Sequence, residues 1–443
     1  MTRNRFVTVL FMFALAGGLA LASRTAEAPL EPSRFGGMLR LDALGALFAL
    51  LLTATALAQQ ASGGPALRRI LALGALLISL SLSSLLAPVG GLLLACLCLE
   101  RGRPQLVSLL LACALLAGGF FLIGTSTDLW RYNLPTIGLG LSSPAFALLL
   151  AATLIGTGLW RTPLDRASPA PDPLLLVAWV YPLLRLFSLG PWNLGWSLAT
   201  MLIGAALALW SAWRAATADA PLAWRIQSYS ALALVGAGLA SGAGVALATF
   251  ALICVPLLNL AGDKRVSEVG AQDLGVPKPN PQPLIPNTRL ALWLLTPAFP
   301  LGIPFVTIWL GVGAASAGGS SLLAATLWAV GLIGAAPLAN RLARPARGWP
   351  LWLASGLSFG LGVLAPLLVQ LLIQPVIAQL QGGLSPYGDL GLWPWAGLFA
   401  LDAARQPIAT LPSLALAVLM LVLSAIAWLA VRLWGIARHS SGE

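Results

Sequence analysis

Histidine is nearly absent from this chain: the only one is His439, in the polar C-terminal tail. Lysine occurs twice, at Lys264 and Lys278, both in one hydrophilic loop. These shortages exclude whole classes of chemistry. A catalytic zinc site takes about three His, Cys or carboxylate ligands, and a serine-type triad needs a base such as histidine. The apolar part of the chain readily builds neither, so no metal or cofactor is expected. The four cysteines (Cys96, Cys98, Cys113, Cys254) all lie in apolar runs. Cys96 and Cys98 are two apart, which is not the spacing of a CxxC redox pair, and all four read as small helix-packing residues. Charge of either sign is scarce, at 9% of residues.

What fills the chain instead is apolar: 58% of its residues are hydrophobic. Leu41–Ala58, Ile70–Ala87, Leu106–Gly124, Leu194–Ala212, Gly319–Ala339 and Pro412–Leu433 are long enough, or nearly so, to cross a hydrocarbon layer roughly 30 Å thick at about 1.5 Å per helical residue. No soluble domain hides that much apolar surface. The expected fold is an all-α polytopic transmembrane bundle of about 14 helices. Its spans run over 6–23, 41–58, 69–87, 89–100, 105–124, 142–160, 173–189, 194–213, 227–241, 243–261, 289–313, 319–339, 349–379 and 411–434. Met1–Arg5 and Ala26-Glu27-Ala28 give the N-terminus some character of a cleaved signal peptide, but the length of the apolar stretch favours a retained first helix.

The net charge of +11 is distributed for a membrane rather than for nucleic acid. Basic residues recur after every second apolar span, at Arg68–Arg69, Arg101/Arg103, Arg161/Arg166, Arg214/Arg225, Lys264/Arg265/Lys278/Arg289, Arg341/Arg344/Arg347 and Arg432/Arg438. That is the positive-inside pattern, with both termini cytoplasmic. Arg24, Arg34 and Arg40 in the first loop depart from it. Trp130, Trp160, Trp192, Trp293, Trp349 and Trp393 fall near span ends, as an aromatic belt requires.

Punctuation divides the chain into N-terminal helices (1–140), a first-half bundle (141–261), a Pro-rich cytoplasmic linker (262–288) and a second-half bundle (289–443). Asp389–Leu411, with Asp402 and Arg405 among apolar residues, reads as an interfacial helix. Pro163, Pro169, Pro171 and Pro173 precede a helix in the first half, while Pro297, Pro300 and Pro304 interrupt one in the second. Broken helices in corresponding positions of two halves point to inverted repeats with a pathway at the breaks; simple proline kinks are the plainer reading.

The stretch Leu154–Leu186 resembles a segment of the antiporter-like membrane subunits of respiratory complex I, Mrp antiporters and membrane-bound hydrogenases. Ala170-Pro171-Asp172-Pro173 is similar to that family's Ala-Pro-x-Pro turn, and Tyr181-Pro182-Leu183-Leu184-Arg185 to the end of its next helix. Arg225, Tyr229 and Ser230 resemble the family's basic residue and Tyr-Ser pair, Leu41-Asp42-Ala43-Leu44 its Asp-x-Leu helix start, and Gly302-x-Pro304 with Trp309 a Gly-x-Pro segment. The resemblance implies proton movement along charged groups buried at mid-membrane, which let a proton hop where a free ion cannot enter.

Against that pattern, the position of the broken-helix lysine falls at Gly156 or Gly158, and the following helix and the second-half spans contain no lysine. The candidate proton-path residues are therefore Glu100, Arg161 and Arg185. Glu100 stands at the offset of the family's glutamate, but Arg101-Gly102-Arg103 directly after it favours a solvated loop carboxylate. Arg161 is a poor substitute for lysine, because arginine does not release its proton. Arg185, near a helix end, is expected to snorkel.

The resemblance implies a multi-pass subunit of the bacterial inner membrane, partnered by other membrane subunits of a respiratory or hydrogenase complex, its own proton channel degenerate. An independent permease or lipid-linked carrier is the alternative. A membrane glycosyltransferase is weaker still, since the loops offer mainly isolated carboxylates such as Asp128, Asp165 and Asp389. The charge pattern predicts that Arg69, Arg214 and Arg344 face the cytoplasm. Single cysteines placed there should label with an impermeant thiol reagent only in inverted vesicles, and strong labelling from outside at all three would reverse the assigned orientation.

Overall fold

The computed structural model describes residues 17, 42–61, 66–99, 103–127, 130, 142–160, 172–187, 193–217, 221–262, 286–335, 349–380, 384, 389–393, 397–402, 404–413, 415–423 and 425–426. The expected first helix, most of the 262–288 linker, Glu100 and Arg161 lie outside them.

Helices dominate, and their boundaries track the apolar runs closely. The first half comprises α1 (Ala43–Ala61), α2 (Ala66–Ser81), α3 (Ala87–Leu99), α4 (Arg103–Thr127), α5 (Ser143–Gly156), α6 (Pro173–Phe187), α7 (Leu194–Thr217), α8 (Pro221–Leu239) and α9 (Gly242–Ala261). The second half comprises α10 (Pro286–Trp293), α11 (Ile303–Ala317), α12 (Ser321–Ala335), α13 (Trp349–Val363) and α14 (Ala365–Leu380). Among the described residues, α1, α4, α7 and α9 are each long and apolar enough to cross a bilayer alone. The stretch expected as one long span, 349–379, is two helices bent by 73° at Leu364, just before Pro366, with a π turn over Val369–Ile373. A proline and a π turn are the usual causes of such a bend.

The centre of the bundle is α9. All of its residues except Ile253 are buried, so this helix, apolar apart from Thr249 and Asn259, is sheathed in protein rather than lipid. It packs against α8 and α1 on one side of the sequence and α11 and α13 on the other. Ser241 caps its N-terminus by accepting a hydrogen bond from Gly244 N at 3.1 Å, and Ala240, at φ 45°, turns the chain from α8 into α9. The two helices then cross backbone to backbone. A Cβ on Gly236 would lie 2.5 Å from Gly244 O and 2.6 Å from Ala248 N.

The segment 389–411 is not the interfacial helix that its composition suggests. It is a three-stranded antiparallel sheet of β1 (Asp389–Trp393), β2 (Gly397–Leu401) and β3 (Pro407–Leu411), in the order β1-β2-β3. Leu390 pairs with Ala400 and Leu398 with Leu411, four buried residues on the face laid against α9 and α11. The apolar residues recur at a period of two, not 3.6. Asp402 closes the second turn: its carboxylate accepts from Gln406 N at 2.7 Å, with Arg405 at φ 59°. This small sheet adds to a helical membrane bundle without changing its class.

Because Gly236 faces backbone while Gly360 on α13 has nothing within 4 Å, the two sites should respond differently to added bulk. Gly236→Leu should destabilise the fold by about 1–3 kcal/mol or more, read as a lower unfolding midpoint in detergent, and Gly360→Leu should leave the midpoint unchanged.

Candidate functional site: two polar clasps and an apolar middle

Arg185 does not snorkel. It stands in the last turn of α6 with its Nη1 2.5 Å from Asp42 Oδ2, and both side chains are buried. Asp42 precedes α1 and acts as its cap, accepting from Gly45 N at 2.8 Å. The same carboxylate accepts from Gln379 Nε2 at 2.7 Å, while Gln379 Oε1 accepts from Leu44 N at 3.2 Å. The Arg185 guanidinium also lies 5.8 Å from the Tyr181 ring centroid. One carboxylate thereby joins α1, α6 and α14, the last reaching in from the far end of the sequence.

A second clasp closes the opposite ends of α1 and α6. Asp172 begins α6, accepting from Leu174 N at 2.9 Å and from Gln59 Nε2 of α1 at 2.6 Å. Arg69 of α2 places its Nε 3.8 Å from the other carboxylate oxygen. From Asp42 to Gln59 the rise is about 25 Å, near the thickness of a hydrocarbon layer. The antiparallel pair is thus fastened at both ends and uncharged between, with Phe48 edge-on to Tyr181 at 5.1 Å.

Among the described residues, no acidic or basic side chain of α1 or α6 lies between the clasps. Among the described residues, every Asp, Glu, Lys or Arg on or beside a membrane helix lies within two turns of a helix end. Gly156, at one of the two positions where the resemblance places a lysine, ends α5 against Trp179 of α6, which is fully buried. A Cβ built on Gly156 would fall inside the indole. Gly158, the other position, has φ 70° and bonds its N–H to Ile155 O at 2.9 Å, a left-handed helix stop that suits glycine.

Arg225 and Tyr229, one turn apart on α8, are both buried. Ser230 returns its hydroxyl to Ile226 O at 3.0 Å, and Ser228 donates across to Ala208 O of α7 at 3.1 Å. The second-half break, 294–302, separates α10 from α11 and leaves helical carbonyls uncovered. Serines of α13 cover two of them: Ser355 donates to Ala291 O at 2.7 Å and Ser358 to Leu294 O at 3.2 Å. Irregular backbone is tolerated at membrane depth when it is buried in protein in this way.

No protein-family model and no curated protein sequence matches the chain. Its fold is nevertheless found in solved structures. Against a chain of the Mrp complex from Dietzia sp. the TM-score is 0.63 at 18% identity, covering 97% of this chain and 54% of that one. Against the membrane-bound sulfane sulfur reductase, an archaeal respiratory membrane complex, it is 0.66 at 15% identity, covering 96% and 79%. Against respiratory complex I from Thermus thermophilus it is 0.61 at 19% identity, covering 86% and 96%. The fold is shared with chains of these membrane complexes. The chain spans about half the length of the Mrp-complex chain it matches.

Of the three candidate residues, only Arg185 lies within the described residues, and it is tied into a clasp. Asp42 and Asp172, quoted in the sequence only as parts of helix-start and turn motifs, are the acidic halves of the two clasps. Removing one partner of a buried ion pair leaves the other charged and unpaired, at a cost of about 3–5 kcal/mol. Arg185→Met and Asp42→Leu should each lower stability in detergent by roughly that amount, and the double variant should lose much less than the sum. Additive losses would mean that the pair contributes no coupling.

Proposed function

We propose that the chain is a membrane-arm subunit of a complex-I-like NADH:quinone oxidoreductase or a related hydrogenase assembly, resident in the bacterial inner membrane, with its own proton channel degenerate. The observation that carries this reading is the likeness, along 83–97% of the chain, to chains of multi-subunit membrane complexes. The partners are other membrane subunits of that assembly.

The degenerate channel is supported by the apolar middle of the bundle. A buried proton relay needs titratable groups at hopping distance. Here Trp179 occupies the space beside Gly156, and among the described residues guanidinium groups, which do not release protons, stand only near helix ends. The Asp42–Arg185 and Asp172–Arg69 contacts hold helices together, and each carboxylate is engaged by several donors. The chain's contribution is then structural: it supports assembly of the membrane arm more than it conducts protons itself.

Affinity purification in mild detergent should recover other membrane subunits of a redox complex with this chain. A chain that purifies alone and moves a solute in vesicles is instead the independent carrier. Within the assembly, deleting the subunit should dismantle the membrane arm, whereas Glu100→Gln should leave coupled proton uptake per electron transferred largely intact. A severalfold loss of uptake with assembly unchanged would make Glu100 a working channel residue and overturn the degenerate-channel reading.

A further inference from the structure

The antiparallel helices α8 and α9 touch at two places along their seam. Gly236 meets the backbone of Ala248, and Leu222 lies over Gly262, where a Cβ would collide with it. Arg225 and Asn259 fall between these contacts, each 11 residues from the inner one and three from the outer one. Eleven residues bring a helix to within about 20° of three full turns, so the two side chains stand on the facing surfaces, opposite one another. Arg225 is 4% exposed and Asn259 7%, and neither Arg225 Nε nor Asn259 Nδ2 has a hydrogen-bond partner. Gln60 of α1 is a third such donor, 2% exposed and unpartnered at Nε2. The helices α1 and α9 pack together and both begin beside α14, through Gln379 at Asp42 and Ile377 at Gly242. Gln60, 18 residues on from Asp42, therefore comes level with Asn259.

Donors gathered away from water require an acceptor. An arginine, which keeps its proton, requires a negative charge as well. Among the described residues, α1, α7, α8 and α9 carry no carboxylate. Asp172, at this end of α1, is already engaged by Leu174 N, Gln59 and Arg69. Turning the Asn259 amide over would offer Arg225 an oxygen but no charge. The seam contacts on either side, with the burial of all three donors, favour a single atom over a lipid headgroup or a phosphate group.

We propose that Arg225, Asn259 and Gln60 form a binding site for a small inorganic anion of the halide class, with chloride as the natural ligand. The guanidinium supplies the opposite charge and the two amides donate N–H bonds to the ion. Bound there, the ion joins α1, α8 and α9 at the end of the bundle remote from Asp42, and it does so whether or not the chain works within a larger assembly.

The test uses the full-length protein in mild detergent, with sodium gluconate replaced stepwise by sodium chloride at constant ionic strength and unfolding followed by circular dichroism. The wild-type midpoint should rise by several degrees and saturate, as a ligand that binds only the folded state requires. Arg225→Met should show no rise and, in gluconate, should melt no lower than the wild type. Arg214→Gln, which alters a half-buried arginine stacked over Trp224, should keep the full rise. Asn259→Leu, which retains the charge, should lose at least half of it and serves as the comparison if Arg225→Met does not fold. Equilibrium dialysis against radioactive chloride should find one ion per wild-type chain and none per Arg225→Met chain. A wild type indifferent to chloride, a rise that Arg225→Met retains, or an equal rise with inorganic phosphate or phosphatidylglycerol in gluconate would each overturn the proposal.

Discussion

A carboxylate and a guanidinium removed from water must stay together, and Asp42 and Arg185 pass that constraint on to three helices. Each alone would be strongly unfavourable where it stands. In contact, and with Gly45 N and Gln379 Nε2 filling the remaining positions on the carboxylate, they are tolerated only if α1, α6 and α14 hold one relative placement. Such a pair adds little net stability over well-packed apolar residues. What it supplies is intolerance of misplacement, because any slip of these helices strands a charge. The Asp172 cluster repeats the arrangement at the other end of α1 and α6. With both ends indexed, the apolar contacts between them need only fill space.

The sequence made the architecture legible because the bilayer imposes a coarse rule. Apolar runs of sufficient length become helices, and charges collect between them, so most helix boundaries are found within a few residues of where the runs end. Two features broke the rule for physical reasons. Residues 389–411 have the mixed polarity of an interfacial helix, but Gly391, Gly397 and Pro407 weaken a helix, and the alternation of Leu390 and Leu392 belongs to a strand. Arg185 sits near a helix end, where a long side chain normally reaches water. Its partner, Asp42, is more than a hundred residues away, and nothing local announces a pairing across that distance.

The candidate site was legible mainly as a deficit. Missing lysines and histidines can be counted in the chain, and the structure shows what stands beside one of the positions where the resemblance places a lysine. The indole of Trp179 lies where a side chain on Gly156 would have to go, and neither residue alone would draw notice.

The burial of α9 has a consequence for how the protein is made. Its neighbours come from both ends of the chain: α1 and α8 precede it, whereas α11 and α13 are synthesised after it. A helix leaving the translocation machinery at that point meets lipid on the flanks that α11 and α13 later cover. Its largely apolar surface is comfortable in either setting, which lets it wait. Completion of the core is thus deferred until the last third of the polypeptide has been inserted, and chains truncated before α13 would keep an unfilled groove along their central helix, open to quality-control proteases.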